Sequence, residues 1–323
     1  MKRIAVLTSG GDGPGLNAAI RAVTRQAIQQ GVVVYGVAWG YQGLLSRDIK
    51  ELSSRDVGGI MAHGGTFLGT ARCPEFKDIQ VRRTAIRHMN QLGIEGLVVI
   101  GGNGSLTGAL VLEKMGFPTF GIPASIDNDV RGTDNSIGVD TTLNTILDAI
   151  DRIKDTASSH QRAFLIEVMG RDCGYLALTS GVAGGAEMIL VPERQGPDMD
   201  MISETVVDAY VRGKQHCIIV IAEGWKPGTR AVAEYLESKR EDLGFDVRVT
   251  VLGHVQRGGR PSVYDRILAT RMGAFAVDSL IRGDSGYMVG IQGNSLQLVT
   301  LEDGVKAIRP LDLQLLELSD VMD

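Results

Sequence analysis

Short, fully apolar runs alternate along this chain with longer stretches whose apolar residues recur at helical spacing. Ile4–Leu7 and Leu97–Ile100 are unbroken runs of strand length, Val32–Val37 and Thr119–Ile122 are read as strands beside them, and further strands are expected at 163–168, 187–191, 216–222 and 247–252. Runs without an alternating polar face predict strands buried on both sides, as in parallel sheets. Val139, Leu143, Ile146, Leu147, Ile150 and Ile153 recur every three or four residues and predict an amphipathic helix over 139–156. Other helices are expected from the turn after residue 15 to about Gln30, and over 79–92, 106–115 and 264–282. Gly31, Gly93, Gly116 and Gly283 stand just past their ends, where a left-handed residue closes a helix. Strand and helix in alternation give an α/β class with parallel strands.

Two of the strand-to-helix junctions are glycine turns. Leu97–Ile100 runs into Gly101-Gly102-Asn103-Gly104-Ser105, and Ile4–Leu7 into Gly10-Gly11-Asp12-Gly13-Pro14-Gly15. Without a Cβ the backbone N–H groups can approach an anion, and the following helix adds positive potential. One such turn also serves simply to pack strand on helix. Two in one α/β region, both at strand ends, point to phosphate binding. Neither continues into the Gly-Lys-Ser/Thr of a P-loop. Trp39–Gly43 is expected to be a turn, and Val130–Gly138 a linker.

With 323 residues, two domains are expected. The formal net charge of −5 argues against a general nucleic-acid surface, while leaving room for local arginines that hold small anions. No apolar run reaches membrane-spanning length, and Ile4–Leu7 is too short for a signal peptide. Cys73, Cys173 and Cys217 show no metal-ligand spacing and leave an odd count, so reduced thiols and a cytoplasmic location are expected.

Candidate chemistry gathers where the chain emerges from strands. Ala124-Ser125-Ile126-Asp127-Asn128-Asp129 follows a strand and Pro123, placing two carboxylates able to accept a proton or hold a metal. Arg162, Arg171, Arg248 and Arg257 are expected at strand ends or in the turns beyond, with His254 among them, a set suited to bidentate phosphate recognition. Glu223 follows the run Ile218–Ile221 and suits sugar hydroxyls or a turn cap. The loop Ala71-Arg72-Cys73-Pro74-Glu75-Phe76-Lys77 fits neither periodicity.

Together, Leu7–Asp12, Ala71–Phe76, Gly101–Ser105, Ile126–Asp129, Met169-Gly170-Arg171 and Leu252–Gly259 closely resemble the bacterial 6-phosphofructokinases. The resemblance implies two doubly wound three-layer αβα domains and phosphoryl transfer from ATP to the 1-hydroxyl of fructose 6-phosphate, a glycolytic step. It implies Asp127 as the base that takes the hydroxyl proton, with Asp129 beside it, and Gly11, Arg72, Arg171 and Ser125 around the transferred group. ATP would lie along Gly11, Tyr41, Arg72, Cys73, Gly102, Asn103, Gly104 and Ser105. The sugar phosphate would be held by Ser125, Asp127, Arg162, Met169, Gly170, Arg171, Glu223, Arg248, His254 and Arg257, with Arg162 and Arg248 reaching across from a neighbouring subunit of a homotetramer. Arg21, Arg25, Lys154, Gly185–Glu187, Arg212, Lys214 and His216 match the family's allosteric site for a nucleotide or phosphorylated effector.

Several positions depart from the family pattern. Asn103 replaces an aspartate that serves magnesium, leaving Asn103 and Asp129 as the expected Mg2+ residues with one formal charge fewer. That change opens the alternative of a weakly active regulatory paralogue. Lys154 stands where arginine is familiar, and Gly13 and Ser125 replace serine and threonine. A pyrophosphate-using branch carries Asp at the position of Gly104 and Lys at that of Ala124. The small residues here leave room for a nucleotide. The expected division is 1–138 with 257–306 for ATP, and 139–256 with 307–323 for fructose 6-phosphate.

Overall fold

Ile4, Ala5, Val6 and Leu7 are all fully buried. Ile4 and Val6 pack in one apolar cluster, Ala5 and Leu7 in another, so this strand lies in the middle layer of three. In the computed structural model, which describes residues 1–194 and 196–322, the chain divides into two units. One comprises Met1–Thr141 and Arg257–Arg309, the other Thr142–Gln256 and the residues from Pro310 onward.

In chain order the elements are β1 (Arg3–Ser9), α1 (Leu16–Gln29), β2 (Val33–Val37), α2 (Tyr41–Ser46), β3 (Ile49–Leu52), α3 (Ile79–Gln91), β4 (Gly96–Gly101), α4 (Asn103–Lys114), β5 (Thr119–Pro123) and α5 (Val139–His160). There follow β6 (Arg162–Val168), α6 (Tyr175–Ala183), β7 (Met188–Leu190), α7 (Met199–Val211), β8 (Cys217–Ala222), α8 (Thr229–Ser238), α9 (Arg240–Leu243) and β9 (Asp246–Val251). The last are α10 (Val263–Arg282), β10 (Tyr287–Gln292), β11 (Ser295–Thr300), α11 (Leu301–Val305) and α12 (Leu313–Met322).

The first unit carries a sheet of order β11-β10-β5-β4-β1-β2-β3, parallel except for its two edge strands. From β1 the chain winds first toward β2, then returns to the other side through β4 and β5. The order therefore reverses between β1 and β4. The second unit has a parallel sheet β7-β8-β6-β9. Ala163, Leu165, Ile219 and Ile221 meet Ile202 and Val206 of α7 and Val232 and Leu236 of α8 in a shared core. The α/β class and the doubly wound pattern are as expected.

Several elements differ from the sequence reading. The helix expected from residue 106 begins at Asn103, because Gly102 is extended and its carbonyl receives the Ser105 and Leu106 N–H groups. Residues 41–46 form a short helix rather than a turn, held by burial of Tyr41 against Phe76, ring centroids 4.2 Å apart. α5 extends to His160, and β3 and the β10–β11 hairpin were not legible. The segment 130–138 is packed, not a linker: Val130, Ser136 and Ile137 are buried, and Thr133 and Asp134 bond to Ile291 of β10.

Candidate functional site

The two glycine turns lie side by side. Ser9 pairs with Gly101 at the carboxyl ends of adjacent parallel strands, at the point where strand order reverses and ligands of open α/β sheets bind. The approach is too close for side chains: a Cβ on Gly101 would stand 2.5 Å from the Ser9 carbonyl and 2.6 Å from Ser105 Oγ. Gly10 adopts a φ of 90°. A Cβ on Gly11 would stand 2.4 Å from Arg257 Nη1, and that guanidinium donates to the Asp12 carbonyl at 3.2 Å. Over Gly104, by contrast, a Cβ would meet open space. Tyr41 is buried and reaches the turn through its hydroxyl, which donates to the Ser105 carbonyl at 2.6 Å. Burial raises its pKa far above the ordinary phenol value, so the hydroxyl stays protonated.

The loop after β3 is tied to this end of the sheet. Asn17 is buried in α1; its Nδ2 donates to the His63 and Gly64 carbonyls and its Oδ1 accepts from Phe67 N. Thr70 donates to the Gly10 carbonyl at 2.8 Å. Arg72 follows, exposed, and Cys73 is half-buried. Desolvation pushes the Cys73 thiol up, away from a reactive thiolate.

β5 delivers the carboxylates next to the second glycine turn, since Gly101 pairs with Pro123 and Ala124 N donates to the Gly101 carbonyl at 3.0 Å. Asp127 is 4% exposed. Asn128 holds a φ of 52°, which asparagine tolerates. Its amide receives Ser136 N and donates to the Asp134 carbonyl, both at 3.0 Å, clamping the turn between the aspartates. Asp129 Oδ1 accepts from Ser125 Oγ at 3.0 Å and Oδ2 from Asn103 Nδ2 at 2.9 Å. A carboxylate can only accept, so the Asn103 nitrogen must face it. Asn103 Oδ1 then points elsewhere, buried and without a hydrogen-bond partner.

That orphaned oxygen and the Asp129 carboxylate are hard donors of the kind magnesium takes alongside phosphate oxygens and water. Among the described residues no group of three or more His, Cys, Asp and Glu side chains is arranged around a metal position. Asn103 and Asp129 thus supply part of a magnesium coordination sphere, to be completed by other oxygen donors.

In the second unit, three loops follow the carboxyl ends of β6, β8 and β9. Glu223 Oε1 receives Gly170 N at 3.3 Å and Arg171 N at 2.8 Å, holding Arg171 at a φ of 53°. Gly224 lets this turn close, since a Cβ there would stand 1.8 Å from the Arg171 carbonyl. Met169 N donates to Gln256 Oε1 at 3.1 Å. Arg171 and His254 are exposed. Arg162 and Arg248 are elsewhere. Arg162 is the first residue of β6, and Arg248 lies within β9, opposite Phe164, not in the turn beyond it. Arg162 thus stands at the amino end of β6, roughly 23 Å of strand from Met169, and Arg248 mid-strand in β9, roughly 16 Å of strand from the level of Met169.

The second unit also gathers Lys154, Glu187, Lys214 and His216. Lys154 Nζ donates to the Gly184 carbonyl, and Lys214 Nζ lies 3.4 Å from Glu187 Oε1. Ser158 Oγ and His216 Nδ1 are 2.8 Å apart. The His216 pKa is lowered, chiefly by burial, with Glu187 opposing. Arg212 pairs with Asp208 on the surface, and Gly185 has a φ of 56°. Arg21 and Arg25 belong to α1 of the first unit, one turn apart on one helix face.

Asn17, Asn128 and Gln256 were not singled out as candidates. Asn128 carried a signal, being an asparagine between two aspartates where a tight turn needs a left-handed residue. Asn17 and Gln256 act on backbone far away in sequence and carried none.

A family model described as Phosphofructokinase matches residues 3–280 of the chain. An ATP-dependent 6-phosphofructokinase of Macrococcus caseolyticus is 53% identical over 320 residues, covering 99% of each chain. That of Bacillus subtilis is 54% identical over 296 residues, 92% of this chain and 91% of its own. Among solved structures, the phosphofructokinase of Saccharomyces cerevisiae matches with a TM-score of 0.87 and 39% identity over 95% of this chain, which spans 45% of the yeast chain. A pyrophosphate-dependent phosphofructokinase of Marinobacter aquaeolei matches with a TM-score of 0.84 at 23% identity, covering 97% of this chain and 86% of its own, a likeness of fold alone.

Proposed function

The chain belongs to the phosphofructokinase family, and from that premise we propose that it transfers the terminal phosphoryl group of ATP to the 1-hydroxyl of fructose 6-phosphate, giving fructose 1,6-bisphosphate and ADP. It is a kinase of glycolysis. The observation that carries the reading is the adjacency of the paired glycine turns and the Asp127–Asp129 loop at one end of the first sheet. On this reading the glycine turns are the polyphosphate cradle and Asp127 beside them the general base.

In this reading Asp127 takes the hydroxyl proton as the sugar oxygen attacks the γ-phosphorus, a contribution of about 10²–10⁴-fold. The rest of the acceleration is positioning and charge neutralisation. Gly11 offers backbone close to the transferred group, Arg72 and Arg171 supply cations, and Ser125 supplies a hydroxyl. Gly102, Asn103, Gly104 and Ser105 carry the nucleotide phosphates, with Cys73 beside them and Tyr41 fixing the Ser105 carbonyl from beneath. Asn103 and Asp129 would hold magnesium together with ATP, and the ion would supply charge neutralisation to the phosphates. We assign the first unit to ATP and the second to the sugar phosphate, through Met169, Gly170, Arg171, Glu223 and His254. The open space over Gly104 favours ATP over pyrophosphate as donor.

We further infer a homotetramer in the cytoplasm. What supports the assembly is the position of Arg162 at the amino end of β6 and of Arg248 within β9 opposite Phe164, both well back along the sheet from Met169. The edge strand β9 also leaves Val249 and Val251 exposed, at 44% and 58%, as an unpaired edge does when another chain covers it. Lys154, Gly185, Glu187, Arg212, Lys214 and His216, with Arg21 and Arg25, are assigned to a nucleotide or phosphorylated effector. No helix among the described residues is long and apolar enough to cross a membrane.

A coupled assay with fructose 6-phosphate, magnesium, and ATP or pyrophosphate as alternative donors tests the reading. Product formation with ATP is expected. Turnover with pyrophosphate alone, or none with either donor, would overturn it.

A further inference from the structure

Gln256 is completely buried, within the short 3-10 helix Gly253–Arg257 that follows β9. Its side chain bonds the backbone of two loops at once. Oε1 accepts from Met169 N at 3.1 Å, and Nε2 donates to the Gly253 carbonyl at 2.9 Å. Its own carbonyl accepts from Thr142 Oγ1 at 2.9 Å. The amide orientation follows from its partners, since oxygen alone can meet the N–H and nitrogen alone can meet the carbonyl. Met169 opens the loop that carries Arg171, and Gly253 immediately precedes His254. Glu223 holds the next two N–H groups of the first loop, so Gln256 completes its anchoring and joins it to the second loop.

We propose that Gln256 is a positioning residue for the sugar phosphate: it sets the register of Met169–Arg171 against Gly253–His254, and so the affinity for fructose 6-phosphate, without touching the substrate. This rests on the reading that these loops bind that compound. Loss of the first bond leaves the buried Met169 N–H unsatisfied, loss of the second frees the part-buried Gly253 carbonyl, and the two loops then settle independently. The nucleotide residues belong to the first unit and hold their own hydrogen bonds.

Gln256→Met, close in length and volume, removes both bonds. Gln256→Glu keeps an acceptor for Met169 N. Kinetics of the purified enzyme, varying each substrate with the other saturating, should show the fructose 6-phosphate KM of Gln256→Met raised roughly tenfold or more, the order expected for a buried hydrogen bond. The ATP KM should stay near the wild-type value, with Gln256→Glu in between. The Met169 amide should exchange faster in Gln256→Met while those of Phe164–Ile166 stay protected. If Gln256→Met does not fold, Gln256→Glu carries the comparison. An unchanged fructose 6-phosphate KM in a folded variant, or an equal rise in both KM values, overturns the proposal alone. A wild-type enzyme that ignores fructose 6-phosphate overturns the substrate assignment and the proposal with it.

Discussion

Asn103 Nδ2 donates to Asp129 Oδ2 at 2.9 Å, joining the first turn of α4 to the loop after β5. With aspartate at 103, as in the family pattern, two carboxylates would meet there and need a cation between them. The amide removes that need in the free protein. Asn103→Asp should therefore lose about 1–3 kcal/mol in metal-free solution, where a donor is exchanged for a like charge. Magnesium alone should restore its Tm through binding to the folded state. The wild-type Tm should stay unchanged by magnesium without nucleotide. A thermal scan of both proteins with and without magnesium checks this, and a variant as stable as wild type and indifferent to magnesium would contradict it.

Gly104 tests donor choice. Its backbone is ordinary helix and its Cβ position is open, so Gly104→Ala should fold normally and keep activity within about threefold, alanine being the better helix former. Gly104→Asp places a negative charge among the nucleotide phosphates. It should cut kcat/KM for ATP at least ~10-fold, by repulsion between close like charges. Equal losses in the two variants would mean that space, not charge, matters there.

His216 gives a pH signature. Burial lowers its pKa in the folded chain, so the unfolded chain takes up the proton first as the medium is acidified. The stability that goes with a neutral His216 is complete above the ordinary histidine pKa of 6.5. It is lost progressively as the pH falls through that value toward the lower folded one. His216→Asn should show a smaller fall in Tm between pH 7.5 and 5.5 than wild type. An identical fall would place the acid sensitivity elsewhere.

The strands and the chemistry were legible in the sequence to different depths. Leu97–Ile100 announces a buried strand because an unbroken apolar run of that length suits little else, and the aspartates after Pro123 stand out because they leave a strand together. β10 and β11 escaped because Gly290 and polar Gln292 interrupt the pattern, and α2 because its helix depends on Tyr41 packing against Phe76. The anchoring of the site was hidden for a related reason. Glu223 and Gln256 bond backbone groups 52 to 87 residues away, and no local pattern marks such a partner. Asn103 was visible as a departure, yet only the fold shows that its nitrogen is committed to Asp129 and its oxygen is left over.

The most direct test of the account is turnover by Asp127→Ser with ATP and fructose 6-phosphate. A fall of about 10²–10⁴-fold in kcat, the range for a lost general base, with both KM values within a few-fold of wild type, is the predicted result. Turnover near the wild-type rate would show that the sugar hydroxyl gives its proton to another group.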